Sequence, residues 1–428
     1  MLSISTFLIS LGATQVQQSM RYELDLASKA PTEVQFKLAL PDQELTLSLP
    51  KSADVPVSAP RCVSGDLKQT GPRTWLKPAG CKVVRWSASI ASIQSADFDA
   101  SRPVSAWVGR HQLWLLTSSL PWLRVPGKDG LPVKINAQLP SGRVSLQATG
   151  PTDKGIPVYI PVGQPARRFG SGGFTIATYG EVPTGQAVDG LQRDLASTLA
   201  RWWRDIPPHG APRRDHFNFL WFGPSKDSKP GIFASAGSDA LLIQFVPGPN
   251  AKSSEAKLQA AVFGVGAHEA LHSLFESVPG FSGKSGKPWA TWAAESLPTY
   301  FAYKAAHRYL KGTPLATFSS EIINARSDQG LLNAEAKADA GDEAAYEKLY
   351  GRGARFWWAV EKVLTVAPNG SGKLSALIQQ TGGMEGMDWH NAENIASYLN
   401  HFSSGHAGPI VQCFLVDDNC TQANKPIP

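Results

Sequence analysis

The stretch "GVGAHEALHSLFE", Gly264 to Glu276, decides how this chain is read. It sets His268 and His272 one helical turn apart, with Glu269 directly after the first. On an α-helix, residues i and i+4 share one face, so the two imidazoles can aim at a common point. A zinc ion at that point would lie about 2.0–2.1 Å from one nitrogen of each ring. Glu269 falls about 100° further round the helix, outside the ligand cone but within reach of a water beside the metal. That is the position a general base needs. The competing reading is an amphipathic core helix, with Leu258, Val262, Val265 and Phe275 as its buried face. Two features weigh against it. Gly264 and Gly266 each cost about 1 kcal/mol relative to alanine inside a helix, which makes sense where another element packs close by. Burying two histidines and a glutamate side by side also demands polar partners.

A zinc site that keeps one position open needs a third protein ligand. Working downstream, Glu295 in "WATWAAESLPTYFAYKA" is the candidate, within a helical segment over about 290–310 and flanked by Trp292, Leu297, Tyr300 and Phe301. A short antiparallel return after Pro279-Gly280 would bring it beside the first helix. Glu276 competes, but it shares the first helix and lies one turn past His272. Ser253 or Ser254, with Glu255 behind it, reads as the N-cap of that first helix.

Outward from this pair of helices the pattern changes. "FTIATYG", "HFNFLWFG" and "DALLIQFVP" read as strands, and "GQAVDGLQRDLASTLARWWRDI" carries Leu191, Leu195, Leu199, Trp202 and Trp203 at helical spacing. From Thr317 onward the chain is mostly helical, most clearly in "EAAYEKLYGRGARFWWAVEKVLTV". Residues 21–165 alternate apolar and polar with period two, as in "YELDLAS" and "VQFKLAL", which predicts a β-sandwich. The Pro- and Gly-rich run from Gly155 to Gly173 marks a boundary. The expected fold is a multidomain α+β protein: a possible signal segment at 1–20, a β-rich domain over 21–165, a zinc catalytic domain over 166–312 and a helical region over 313–428.

Composition limits the partners. The chain has 428 residues, 42% apolar and 18% charged, with a formal net charge of +6. Its basic residues are scattered rather than striped among aromatics, so nucleic acid is not an expected partner. No apolar run reaches the 18 residues that span a bilayer. The start, "MLSISTFLISLGATQ", has the apolar stretch and small residues of an export signal but lacks its positive leader; a tail or first strand is the alternative. Cys62 with Cys81 and Cys413 with Cys420 fall into two local pairs, as disulfides formed in an oxidising compartment would; buried free thiols are the alternative. A secreted or periplasmic protein is therefore expected.

"HEALH" followed by "WAAESLPTYF" resembles the gluzincin metallopeptidases, in particular the glycyl-aminopeptidase-like members and their aminopeptidase N and leukotriene A4 hydrolase relatives. The resemblance covers about residues 170–365 and is concentrated at 268–300. It implies a β-rich N-terminal domain, a thermolysin-like catalytic domain and a helical C-terminal region. It also implies zinc on His268, His272 and Glu295, Glu269 as general base, and hydrolysis of a peptide or protein substrate. The family's Tyr-x-x-Gly segment has a counterpart in "KLYGRGARFWWAV", which makes Tyr350 the oxyanion donor, with Tyr346 as competitor and Arg352 where lysine is usual. Two departures stand out. The glycine that usually follows the third ligand is Ser296, with Pro298 close behind. The strand whose glutamate holds a substrate's free amine in the relatives corresponds to "PGIFASAGSDALLIQF", which offers Gly231, Ser238 and Asp239 but no glutamate. Exopeptidase and endopeptidase action both stay open. So does a peptidase fold kept only to bind peptides or partners, and, by analogy of fold alone, an epoxide-opening hydrolase. The residues do not speak to oligomeric state.

Overall fold

The computed structural model describes residues 20–27, 32–49, 57–94, 97–100, 103–151, 157–208, 214–224, 229–278, 280–281, 289–324, 329–366, 373–418 and 420. Apart from Met20, the segment read as a signal lies outside the described residues. The chain is multidomain α+β and divides into two compact units, residues 1–98 with 102–164 and residues 165–428 with 99–101.

The first unit is built from β1 (Arg21–Leu26), β2 (Glu33–Ala39), β3 (Leu45–Ser48), β4 (Arg61–Cys62), β5 (Lys68–Gly71), β6 (Thr74–Lys77), β7 (Val83–Ser89), β8 (Ala91–Ile93), β9 (Ala106–Val108), β10 (Leu113–Thr117), β11 (Pro132–Leu139), β12 (Gly142–Thr149) and β13 (Tyr159–Val162). Six of these form one sheet in the order β12-β11-β1-β2-β7-β4, in which β1 runs parallel to β11 and antiparallel to β2. A second sheet has the order β13-β10-β9-β8 and a third β3-β6-β5. The period-two pattern of the sequence sets the burial. Along β1, Tyr22, Leu24 and Leu26 are buried while Arg21 and Asp25 are exposed. Trp114 and Leu116 of β10 and Ile160 of β13 join the core formed by Tyr22, Phe36 and Trp86 of the large sheet. Phe36 stacks on Trp86 with ring centres 4.7 Å apart. Two of the buried aromatics turn their polar tips to carbonyls: Tyr22 Oη donates to Leu123 at 2.8 Å and Trp86 Nε1 to Pro121 at 3.1 Å. The expected Cys62–Cys81 disulfide is formed.

The second unit contains β14 (Arg167–Ser171), β15 (Phe174–Gly180), β16 (His216–Phe222), β17 (Gly231–Ala236) and β18 (Ala240–Val246) in the order β14-β15-β16-β18-β17. The three inner strands are parallel, and β14 and β17 are antiparallel edges. Its helices are α1 (Gln186–Asp205), α2 (Ala251–Ala260), α3 (Gly266–Glu276), α4 (Thr291–Tyr309), α5 (Gly312–Asn324), α6 (Leu331–Asp339), α7 (Glu343–Val366), α8 (Leu374–Gln380), α9 (Ala392–Ser403) and α10 (Gly408–Val411). Leu195 of α1, Phe219 of β16, Leu271 of α3, Trp292 of α4 and Trp357 of α7 meet in one core. The sheet's inner strands are buried almost throughout, as parallel strands covered on both faces are. Cys413 and Cys420 form the second expected disulfide.

Candidate metal centre

The histidine helix differs from its reading as one continuous α-helix. It runs as α2, a wide π-type turn over Ala261–Val265, and then α3. Such turns insert a residue and recur at functional sites. The N-cap also differs. Asn250, ahead of both expected serines, accepts from the Ser253 amide at 3.2 Å, while Ser254 Oγ donates to the Gly248 carbonyl at 2.9 Å. An Asn side chain at the cap position reaches that third amide directly. The two glycines have the reason expected of them. A Cβ at Gly264 would collide with the Phe318 ring from α5, and one at Gly266 would lie 3.1 Å from Phe219 and 3.2 Å from Leu195.

α3 and α4 bring the three candidate ligands together. His268 Nε2 and His272 Nε2 are 3.0 Å apart, and Glu295 Oε2 lies 3.5 Å from the first and 3.4 Å from the second. Their side chains are only 11, 15 and 16% exposed. Two imidazole nitrogens and a carboxylate oxygen are donors zinc accepts. In a tetrahedron with arms of about 2.0–2.1 Å the ligand atoms stand roughly 3.3 Å apart, so the observed triangle fits that ion. Among the described residues this is the one group of three such side chains able to hold a metal. Glu276, the competing acid, is not in it.

Surrounding hydrogen bonds orient the donors. Thr299 Oγ1 donates to the Glu295 carbonyl at 2.7 Å and lies 3.2 Å from His268 Nδ1. With its proton committed to the carbonyl, the hydroxyl accepts from Nδ1–H. That bond keeps the proton on Nδ1 and leaves Nε2, which faces the other two ligands, as the nitrogen that would exchange its proton for a metal. Tyr346 Oη donates to Glu295 Oε1 at 2.8 Å, and Tyr350 Oη to Tyr346 Oη at 3.4 Å. Burial would raise the Glu295 carboxyl, but hydrogen bonds and charge from His268 and His272 outweigh it and hold the group well below the usual carboxylate range. The phenols move the other way. Burial, then the Glu295 charge, pushes Tyr346 up to about 12 and raises Tyr350 as well. Both are therefore protonated donors at neutral pH.

Beside the triangle lies a cavity of about 390 Å³, lined by His268, Glu269 and Tyr350 together with Gly231 of β17. Tyr350, rather than Tyr346, borders this space, with its ring centre 5.8 Å from that of His268. Of the three residues picked from the substrate strand, only Gly231 lines the cavity. Ser238 and Asp239 occupy the turn between β17 and β18, where Arg214 pairs with Asp239 at 2.7 Å and donates to the Ser238 carbonyl. The pairing of β17 with β18 sets this register, running Gly231 opposite Val246 and Ala236 opposite Leu241. Ser273 Oγ, next to His272, donates to the Gly237 carbonyl, so that turn is joined to the histidine helix from outside the cavity.

Sequence reading missed several supporting residues. Thr299 follows Glu295 by one helical turn, the same face rule that selected the histidines, and was open to discovery. The partner of Ser296 was not. A Cβ at Gly353 of α7 would collide with Ser296, whose Oγ accepts from Trp357 Nε1 at 2.8 Å. Bulk gained on α4 is thus matched by bulk absent from α7. α4 begins at Thr291 and runs through Pro298, so neither departure displaces its start. Glu335 of α6 accepts from the Thr291 and Trp292 amides and caps the helix that carries Glu295. Arg352 is fully buried and donates to the Phe414, Cys413 and Asp417 carbonyls at 2.9, 2.8 and 2.6 Å.

No family model and no curated protein matches the chain. Solved structures do. An aminopeptidase N family protein from Idiomarina loihiensis superposes with a TM-score of 0.62 at 11% identity, over 94% of this chain and 76% of that one. An M1 zinc metallopeptidase from Deinococcus radiodurans matches at 0.48 and 12% identity, over 96% and 95% of the two chains. Aminopeptidase A of Legionella pneumophila matches at 0.49 and 12% identity, over 93% of this chain and 49% of its own. The first of these likenesses shows the fold: the chain is folded as an aminopeptidase N family protein is.

Proposed function

We propose that the protein is a zinc-dependent peptidase, with His268, His272 and Glu295 holding the ion. One observation carries this reading: two Nε2 atoms and a carboxylate oxygen converge beside a cavity that Glu269 and Tyr350 also line. Zinc in that position supplies Lewis acidity and lowers the pKa of water to about 7. Glu269 takes the proton of the attacking water and passes it to the leaving amine. Tyr350, kept protonated by burial and by the Glu295 charge, donates its O–H to the oxygen on which negative charge develops. Tyr346 and Thr299 hold the Glu295 carboxylate and the His268 ring in place. The edge strand β17 pairs its backbone with an extended peptide.

Among the described residues that line the cavity, Glu269 is the single carboxylate, and it is committed to the proton transfer. No second carboxylate among those described residues is left to hold a free α-amine, which favours cleavage within a chain over removal of an N-terminal residue. The two disulfides fit an oxidising compartment, secreted or periplasmic.

Glu269→Gln keeps stoichiometric zinc and lowers kcat by about 10²–10⁴-fold. Unchanged turnover in that variant removes the proposed base. His268→Ala and Glu295→Ala both lose zinc when titrated against a chelator, and full occupancy in the Glu295 variant would mean that another group is the third ligand. A library of matched peptides with free and blocked N-termini separates the modes of action. Zinc-loaded protein that binds these peptides and cleaves none is a binding protein instead.

A further inference from the structure

The lining of the cavity extends away from the metal centre along two elements. One wall is the helical run from α2 through α3. The other begins with β17. The two walls run side by side. Gly248 lies against both Ser254 at the start of α2 and Pro230 just ahead of β17, while the Gly237 carbonyl beyond the end of β17 accepts from Ser273 of α3. An extended peptide laid along the edge of β17 would therefore track the helical run from His268 back toward the first turns of α2.

Lys257 stands at that far end. It is half-buried and lines the same cavity as His268 and Glu269, as do Thr317 and Phe318 of α5. Among the described residues no carboxylate pairs with it. The remaining lining is almost entirely neutral. Among the described residues the cavity thus carries one acid, Glu269, at the reacting end and one lysine at the other. A half-buried ammonium facing a mostly apolar wall gains most from a charged acceptor that arrives with the ligand.

We infer that Lys257 is a specificity-determining residue and that the favoured substrates are peptides bearing a carboxylate at a set distance from the scissile bond. The inference rests on the peptidase reading. Lys257 precedes His268 by about three helical turns, roughly 16 Å of rise. Extended chain covers about 3.3 Å per residue, which puts the carboxylate about five residues from the bond that breaks. An acidic side chain supplies such a group, and so does the free C-terminus of a short peptide.

The test uses the zinc-loaded full chain and N-terminally blocked peptides with one fixed cleavage site. Glutamate or glutamine is placed in turn at each position on either side of that site, with the C-terminus free or amidated. The wild type cleaves a carboxylate-bearing peptide about tenfold faster in kcat/KM, through KM, at the favoured distance. If the gain follows glutamate regardless of amidation, an acidic side chain is read; if amidation alone abolishes it, the C-terminus is read. Lys257→Met removes the preference, and Lys257→Glu transfers it to peptides with lysine at the same position. Equal cleavage of glutamate and glutamine peptides by the wild type overturns the inference, as does a preference that survives Lys257→Met. Failure to cleave any peptide counts against the peptidase reading instead. Calorimetry with the same peptides then decides about Lys257: tenfold tighter binding of the glutamate peptide, lost in Lys257→Met, supports it, and equal affinity overturns it.

Discussion

In the strand-built unit the side chains around Phe36, Trp86 and Trp122 are apolar, and Lys77 is the one charged residue buried among those described. Its Tyr22 and Trp86 send their polar tips to carbonyls. The unit with the metal centre instead buries Glu335, Arg352 and Arg355. The bonds they make span long stretches of chain. Glu335 of α6 caps α4, Arg352 of α7 gathers three carbonyls beyond α10, and Glu361 of α7 accepts from Tyr300 and Lys304 of α4 and from the Leu374 amide of α8. A sheet holds its register by backbone pairing. Helices meeting at a three-ligand site have no such ladder between them, and here buried charge supplies directional bonds between elements.

The comparison can be broken by mutation. The largest effect is expected at Arg352→Met, which leaves the buried Cys413 and Phe414 carbonyls and the Asp417 carbonyl without their donor and, at about 1–3 kcal/mol for each buried group, costs about 3–5 kcal/mol by denaturant unfolding. Lys77→Met in the other unit costs under about 1 kcal/mol, because Lys77 Nζ serves one neighbouring carbonyl, that of Pro78. Equal losses would dissolve the distinction. A smaller effect follows from Gly264→Ala. Alanine gains about 1 kcal/mol of helix propensity, yet its methyl meets the Phe318 ring, and overpacking of about 1–3 kcal/mol wins. Gly264→Ala with Phe318→Leu should recover part of the loss; a stabilised single variant would mean that the ring moves aside freely.

The smallest effect is in pH. Burial raises the Glu361 carboxyl, but the bonds from Lys304, Tyr300 and the Leu374 amide outweigh it and lower its pKa. A carboxyl whose folded pKa is lowered contributes stability above its unfolded value, about 4.3, and loses it as pH falls through the folded value. Below about pH 4, hydrogen exchange corrected for intrinsic rates should therefore open α4, α7 and α8 before β1, β2 and β7. Glu361→Gln should flatten that dependence. Simultaneous opening of both units would count against a local ionic origin.

Much of the site was legible because helical spacing is a local rule. His268, His272 and Glu269 follow from the rise and twist of one helix, and Glu295 from a second helix and a short return. The tightness around Gly264 and Gly266 was also legible, although Phe318 and Phe219 as the neighbours were not. Where Asp239 stands was not legible for a related reason. It is near Gly231 in sequence, but β17 ends before it and Arg214 takes its carboxylate. Ser296 and Gly353 likewise make sense only as a pair.

By itself, then, the sequence determined the alternating strands of the first unit, the two local cysteine pairs and a donor set suited to zinc, since each depends on residues close together along the chain or on a fixed helical period. The tertiary structure alone decided which tyrosine borders the cavity, which ring nitrogen of His268 is free to bind, and where Lys257 stands relative to the site. Those outcomes depend on distances between elements that meet only when the core closes, and no local period encodes such distances.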